Sequence, residues 1–192
     1  MQKLKSQVLA FVPCNEQEER DKAILLRWID SGADILTREN EVAHLTASAW
    51  VMSPDRTKVL MAYHNLYDSW AWLGGHADGE SDLLAVALRE AEEESGVGSV
   101  RPVTGDILSV ETLCVEGHEK RGRYVPCHLH LNVTYLLEAD PDQPLTVKPD
   151  ENSAVAWTPV EDIPKMSTEE WFVKRIYQKL CERAKNYEAV LR

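Results

Sequence analysis

The residues with the densest chemistry lie in one stretch, 74–97, GGHADGESDLLAVALREAEEESGV. Its second half reads as a helix carrying Arg89, Glu90, Glu92, Glu93 and Glu94. Residues three and four apart share a helix face, so Glu90, Glu93 and Glu94 are neighbours. An apolar stripe of Leu84, Ala87, Leu88 and Ala91 lies largely on the other side, so the three carboxylates are expected to project away from the core. Like charges at this spacing repel by some tenths of a kcal/mol per pair. The negative end of the helix worsens the conflict. A divalent cation resolves it: hard carboxylate oxygens suit Mg²⁺, Mn²⁺ is an alternative, and two ions would fit along the face. A glutamate-rich last turn alone is usually only a solvated surface. Here it stands at a set distance from an upstream loop holding Gly74, Gly75 and Gly79, and Gly96 marks its exit.

That spacing resembles the signature of the Nudix hydrolases, G-x5-E-x7-R-E-U-x-E-E-x-G-U with U aliphatic. Anchored on Gly75, the match takes in Arg89, Glu90, Ala91, Glu93, Glu94, Gly96 and Val97, and the motif spans about an eighth of the chain. The first Glu of the signature falls on Ser81, with Glu80 just before it. Either the loop is one residue shorter and the helix start one longer, or Glu80 acts from a shifted position.

The resemblance implies a pyrophosphohydrolase that cleaves the diphosphate bridge of a nucleoside diphosphate linked to a group X, by water attack on phosphorus. Such chemistry depends on positioning and charge neutralisation, which suits the residue types present. Carried over, Glu90 and Glu94 are principal metal ligands, with the Gly75 carbonyl as a third. Glu93 is a ligand or the activator of the water. Arg89 pairs with and orients Glu93, its plainer role being an ordinary helical ion pair. Relatives often add a carboxylate from outside the signature. Glu151, in the loop before the strand that ends at Trp157, is the first candidate against a simple loop acid, and Glu116 and Glu119 are weaker ones.

Other polar clusters bear on the substrate. Lys120, Arg121 and Arg123 form the densest basic cluster, either to contact a distal phosphate or X, or as exposed loop cations. On the strand that follows, His128, His130, Asn132 and Thr134 alternate with Leu129, Leu131, Val133 and Tyr135. H-x-H is zinc-ligand spacing, but with no third ligand in the pattern a polar pocket wall is the better reading, and a solvated sheet face is the other. His76 directly follows Gly75, within reach of a phosphate. Trp50, Tyr63, Tyr67, Trp70 and Trp72 precede the loop, mostly as core residues, with stacking on a purine as the functional alternative.

The elements that position these groups follow from periodicity. Residues 1–40 read as a helical extension, with Asn15 and Glu18 as a capping-box variant. Residues 41–192 read as the catalytic domain. Alternation marks strands at 42–51 and 58–64, a short aromatic strand at 70–73, further strands at 107–115 and 125–137, and a last one at 154–157. Ser167 with Glu170 predicts a capped closing helix along Trp171, Ile176, Leu180 and Ala184. The fold class is α/β (α+β). The family resemblance makes it an α/β/α sandwich around a mixed sheet, with the helical lead-in and a C-terminal helix.

Composition narrows the partners. With 44% hydrophobic and 28% charged residues the chain is globular, and a net charge of −11 argues against a nucleic-acid polymer as partner. A small phosphorylated substrate is compatible, because bound cations reverse the local sign. No apolar run approaches a membrane span and no signal-peptide pattern opens the chain, so a cytoplasmic protein is expected. A homodimer is left open. Cys14, Cys114, Cys127 and Cys181 form no C-x-x-C pair and are expected to be buried free thiols. Two other functions compete. An isopentenyl-diphosphate-isomerase-like enzyme would need a catalytic Cys where Gly74 stands. A non-catalytic ligand sensor of the same fold commonly loses signature carboxylates that are intact here.

Overall fold

The computed structural model describes residues 1–120, 122–149 and 152–188. Helices α1 (Gln2–Ala10) and α2 (Glu16–Asp30) open the chain. Asn15 caps α2 by accepting the Glu18 N–H at 3.0 Å. Strands β1 (Ala43–Met52), β2 (Lys58–His64), β3 (Ser69–Ala71) and β4 (Leu73–His76) lead into helix α3 (Leu83–Ser95). Strands β5 (Arg101–Pro102) and β6 (Ser109–Val115) follow, then a hairpin of β7 (His118–Lys120) and β8 (Arg123–Val125). Long strand β9 (His128–Glu138) and β10 (Asn152–Pro159) precede the short helix α4 (Ile163–Met166).

The closing helical run comprises α5 (Glu170–Phe172), a π-helical stretch at Val173–Tyr177 and α6 (Gln178–Ala184). Its expected capping box does not form. Ser167 is buried against β3, with its hydroxyl 3.2 Å from that of Ser69, and no side chain caps α5. The aromatic strand also divides. Residues 69–71 pair with β2, and after Trp72 the chain pairs with β1 instead.

Among the described residues the main sheet has eight strands, ordered β10-β2-β1-β9-β5, with β3 on β2, β4 on β1 and β6 on β9. Only β1 and β9 of these pairs run parallel, so the sheet is mixed. Strict alternation along β1 and β9 sorts their side chains to two faces. Ala43, Leu45, Ala47, Ala49 and Val51, with Leu131, Val133, Tyr135 and Leu137, join a core shared with Leu25 of α2 and Val86, Ala87 and Ala91 of α3. On the opposite face Trp50, Met52 and Leu136 join Ile176, Tyr177 and Leu180 of the closing run. Helices therefore cover both faces of the sheet, giving the three-layer sandwich.

The rest of that second face is polar. Asn132 accepts from the Thr46 and Ser48 hydroxyls, each at 2.9 Å, and donates to Glu111 at 3.0 Å. Lys179 of α6 lies 3.0 Å from Glu111 and 3.2 Å from Glu18 of α2, and Arg183 lies 3.1 Å from Glu18. Burial would raise the Glu18 pKa, but Lys179, the Ser109 hydroxyl, the Cys14 N–H and Arg183 together leave it below its ordinary value. Burial would lower Lys179, and Glu111 with Glu18 outweigh it, holding the ammonium charged. One lysine thus ties the first helices, the sheet and the last helix together.

The cysteines differ from expectation in burial. Only Cys181 is buried; Cys14, Cys114 and Cys127 are exposed, although all four are free thiols. Cys114 of β6, paired opposite Leu129, and Cys127, just before β9, have their sulfurs 3.6 Å apart.

Replacing Lys179 by Met leaves buried Glu111 without its cation and leaves buried Glu18 with Arg183 alone. The expected loss is about 3–5 kcal/mol of folding stability, read as a lowered urea midpoint with an unchanged slope. A loss below about 1 kcal/mol would show that the Lys179 pairs do not hold these elements together.

Candidate functional site

The strand-loop-helix unit 73–95 builds one wall of the site. Gly74 runs so close to β1 that a Cβ there would meet the Ala47 carbonyl oxygen at 2.6 Å and the Ser48 Cα at 2.8 Å. Its N–H donates to Glu94 at 2.9 Å, and the Asn152 amide donates to the other Glu94 oxygen at 3.2 Å. Glu94 is therefore buried beneath the loop and does not project into solvent as expected. The cause is the short route from β4 into α3, which brings the glycine backbone onto the last turn of the helix. Gly75 performs the same service for Glu90: a Cβ there would lie 2.5 Å from the Glu90 carboxyl carbon. Glu93 is exposed.

Two cations brace this wall. The Arg89 guanidinium lies 2.9 Å from Glu90 and 3.9 Å from Glu93, and Lys148 lies 3.6 Å from Glu93. Hydrogen bonding to Glu90 holds Arg89 above its ordinary pKa.

The wall lines a cavity of about 710 Å³. Gly75, His76, Arg89, Glu90, Glu93, Glu94, Lys120, His128 and His130, all singled out in the sequence, line it together. Arg123 lies on exposed β8 and is not among its lining residues. Arg121 and Glu151 lie outside the described residues. Glu80 turns back on its own loop and accepts the Asp82 N–H at 2.8 Å. Trp72, Phe172 and Tyr177 supply an aromatic end, whereas Trp50 is fully buried in the core.

A family model for the NUDIX domain matches residues 42–180. The chain belongs to the Nudix hydrolase family. No curated protein matches it. Among solved structures, a NUDIX-family hydrolase from Clostridium perfringens is 20% identical with TM-score 0.51, over 71% of this chain and 95% of that one. An Ap4A hydrolase from C. elegans, in a binary complex, is 17% identical with TM-score 0.51, over 74% and 95%. The NUDIX domain of Shewanella oneidensis NrtR, complexed with ADP ribose, is 18% identical with TM-score 0.50, over 83% and 96%. At these identities the likeness is one of fold.

Imidazoles line the same cavity as the Nudix carboxylates. His44 was not singled out from the sequence, where it is one polar residue in an alternating strand. The parallel register sets it directly beside His130, and β4 brings His76 to the other side of β1. Ring centroids lie 5.2 Å apart for His44 and His76, 5.2 Å for His44 and His130, and 4.9 Å for His76 and His130. His128 stacks 4.8 Å from His44. Arg38, a further cavity residue outside the signature, forms a two-pronged pair with Asp78, 2.8 Å on the Nε side.

Burial is the main force on these rings. It depresses His76 to about 3 and His130 to about 2, with further repulsion from Arg38 and the neighbouring imidazoles, and it lowers His44 too. Unfolded imidazoles take up protons below about pH 6.5 while these stay neutral in the fold. Their contribution to stability is therefore lost progressively as pH falls from about 6.5 towards 3. Between pH 7 and pH 5, His130→Gln should lose about 2 kcal/mol less stability than the unaltered protein in urea titrations. Equal losses in the two proteins would contradict a neutral His130.

Proposed function

We propose that this Nudix protein hydrolyses the diphosphate bridge of a nucleoside diphosphate linked to a second group, by water attack on one phosphorus, with Mg²⁺ or Mn²⁺ as cofactor. The observation that carries the reading is the meeting of Glu90, Glu93, Glu94 and the Gly75 backbone on one wall of a cavity sized for a small phosphorylated ligand. The donor set fits a hard cation: these are oxygen ligands, and the missing side chain at Gly75 lets the Glu90 carboxylate lie against the main chain. When bound, the cation neutralises charge on the bridging diphosphate and its developing transition state.

The remaining work falls to the chain. Glu90 and Glu94 are the principal ligands, with the Gly75 carbonyl beside them. The Gly74 N–H and the Asn152 amide hold Glu94 in one orientation. Glu93, solvent-facing and braced by Arg89 and Lys148, is a ligand or takes the proton of the attacking water. Lys120, His76, His128 and His130 line the part of the cavity open to phosphates and the second group. Aromatic Trp72 and Phe172 suit the flat face of a base. The ADP ribose bound by the Shewanella domain supports including nucleoside diphosphate sugars among the substrates. The same reading assigns the protein to the cytoplasm, keeps residues 1–40 as an extension of a catalytic domain at 41–192, and leaves a homodimer as its assembly to be measured.

Product analysis over nucleoside diphosphate sugars, dinucleoside polyphosphates and nucleoside triphosphates with Mg²⁺ tests the reading. Turnover of at least one class is expected, falling by roughly tenfold or more in both Glu93→Gln and Glu94→Gln. Tight binding without turnover would favour a ligand sensor, and unchanged rates in both variants would overturn the residue roles.

A further inference from the structure

We propose that His44, His76 and His130 bind a divalent transition-metal ion of the zinc class, at a site separate from the carboxylate wall and with different metal preference. The three side chains each offer a ring nitrogen, and these nitrogens all lie within 4.8 Å of one another. Ligands on one tetrahedral zinc stand about 3.3 Å apart, given bonds of about 2.0–2.1 Å, so modest ring rotations close the set. The residues come from three adjacent strands, β4, β1 and β9, whose ladder hydrogen bonds fix their spacing. Neither a flexible loop nor a chain end takes part.

His44 supplies the independent observation. It is only 4% exposed, and its Nδ1 lies 3.0 Å from the Asn40 carbonyl oxygen. That bond puts the ring proton on Nδ1 and leaves the Nε2 lone pair for a ligand. Nε2 is buried with no hydrogen-bond partner. An orphaned buried acceptor costs on the order of 1–3 kcal/mol, and a backbone carbonyl holding the distal N–H is how metal-binding histidines are oriented.

His128 repeats the arrangement. Its Nδ1 lies 2.8 Å from the Pro126 carbonyl oxygen, and its Nε2 faces the His130 Nε2 at 3.2 Å. His128 therefore stands as a hydrogen-bonding partner that orients His130. All four rings line the cavity, which gives an ion entry from solvent. Neutral nitrogen donors select Zn²⁺, Co²⁺ or Ni²⁺ over Mg²⁺, which prefers carboxylate oxygens.

Titration of tag-free, metal-stripped protein with Co²⁺ provides the test. The expected result is the visible absorption of a nitrogen-ligated, four- or five-coordinate Co²⁺, bleached by one equivalent of Zn²⁺ and unaffected by excess Mg²⁺. His44→Gln and His76→Gln should each weaken Co²⁺ binding on the order of a hundredfold, while Glu94→Gln keeps it. Circular dichroism checks that each variant is folded; His76 is only half-buried, so its variant serves where His44→Gln does not fold. No Co²⁺ spectrum in the unaltered protein, equal affinity in folded histidine variants, or loss of the spectrum in Glu94→Gln would each overturn the proposal. Hydrolytic activity does not enter the readout, so failure here is separable from failure of the proposed reaction.

Discussion

One strand pair sets the terms for everything else. β1 and β9 run parallel in continuous register from Ala43 against Leu129 to Met52 against Glu138. A parallel pair covered on both sides would ordinarily carry apolar residues on both faces. Here one face is apolar throughout and the other is polar for half its length, through His44, Thr46, Ser48, His128, His130, Asn132 and Thr134. Those groups lie too deep for free hydration, so each needs a partner or a cavity. Trp50 and Leu136 end the polar stretch by entering the second apolar core.

The polar half-face is satisfied in two ways, and the division separates stability from chemistry. In the middle, Asn132 and Thr134 pass their hydrogen bonds to Glu111, which meets Lys179. At the end nearest the loop His44, His76, His128 and His130 line the cavity instead. The closed network fastens the first and last helices onto the sheet, and the open end is left for ligands. Glu90, Glu93 and Glu94 line the same cavity, so oxygen donors and nitrogen donors share it.

The two walls differed in how legible they were. The acidic wall is contiguous in sequence: strand, glycine loop and helix occupy 73–95, and helical periodicity alone puts Glu90, Glu93 and Glu94 together. The family spacing could therefore be read directly. Periodicity does not show the burial of Glu94, because that depends on Gly74 of β4, paired with β1, donating its N–H to the carboxylate. The alternation of His128 and His130 was visible as well, but their partner His44 is 84 residues from His128 and 86 from His130 in the chain, and only the pairing register joins them. Exposure of Cys114 and Cys127 was missed for the same reason, since burial of a strand end depends on what covers it. The capping box at Ser167 does not form because the helix starts only at Glu170, and the Ser167 hydroxyl turns to Ser69 and to the Glu169 N–H.

This difference in range also makes the walls unequally robust. The acidic wall is carried by a unit contiguous in sequence, and from outside it needs only the packing of Gly74 on β1 and the contacts of Lys148 and Asn152. The imidazole wall depends on register, and side chains alternate with period two. A one-residue slip of β9 against β1 would turn His128, His130 and Asn132 into the apolar core and carry Leu129 and Leu131 out into the cavity. The apolar face and the buried Asn132–Glu111–Lys179 network both oppose that slip, because either would be left with unmatched groups. The same interactions that stabilise the sandwich therefore hold the four imidazoles in one place, which is why a side-chain cluster assembled from distant strands can have the fixed spacing that metal coordination requires.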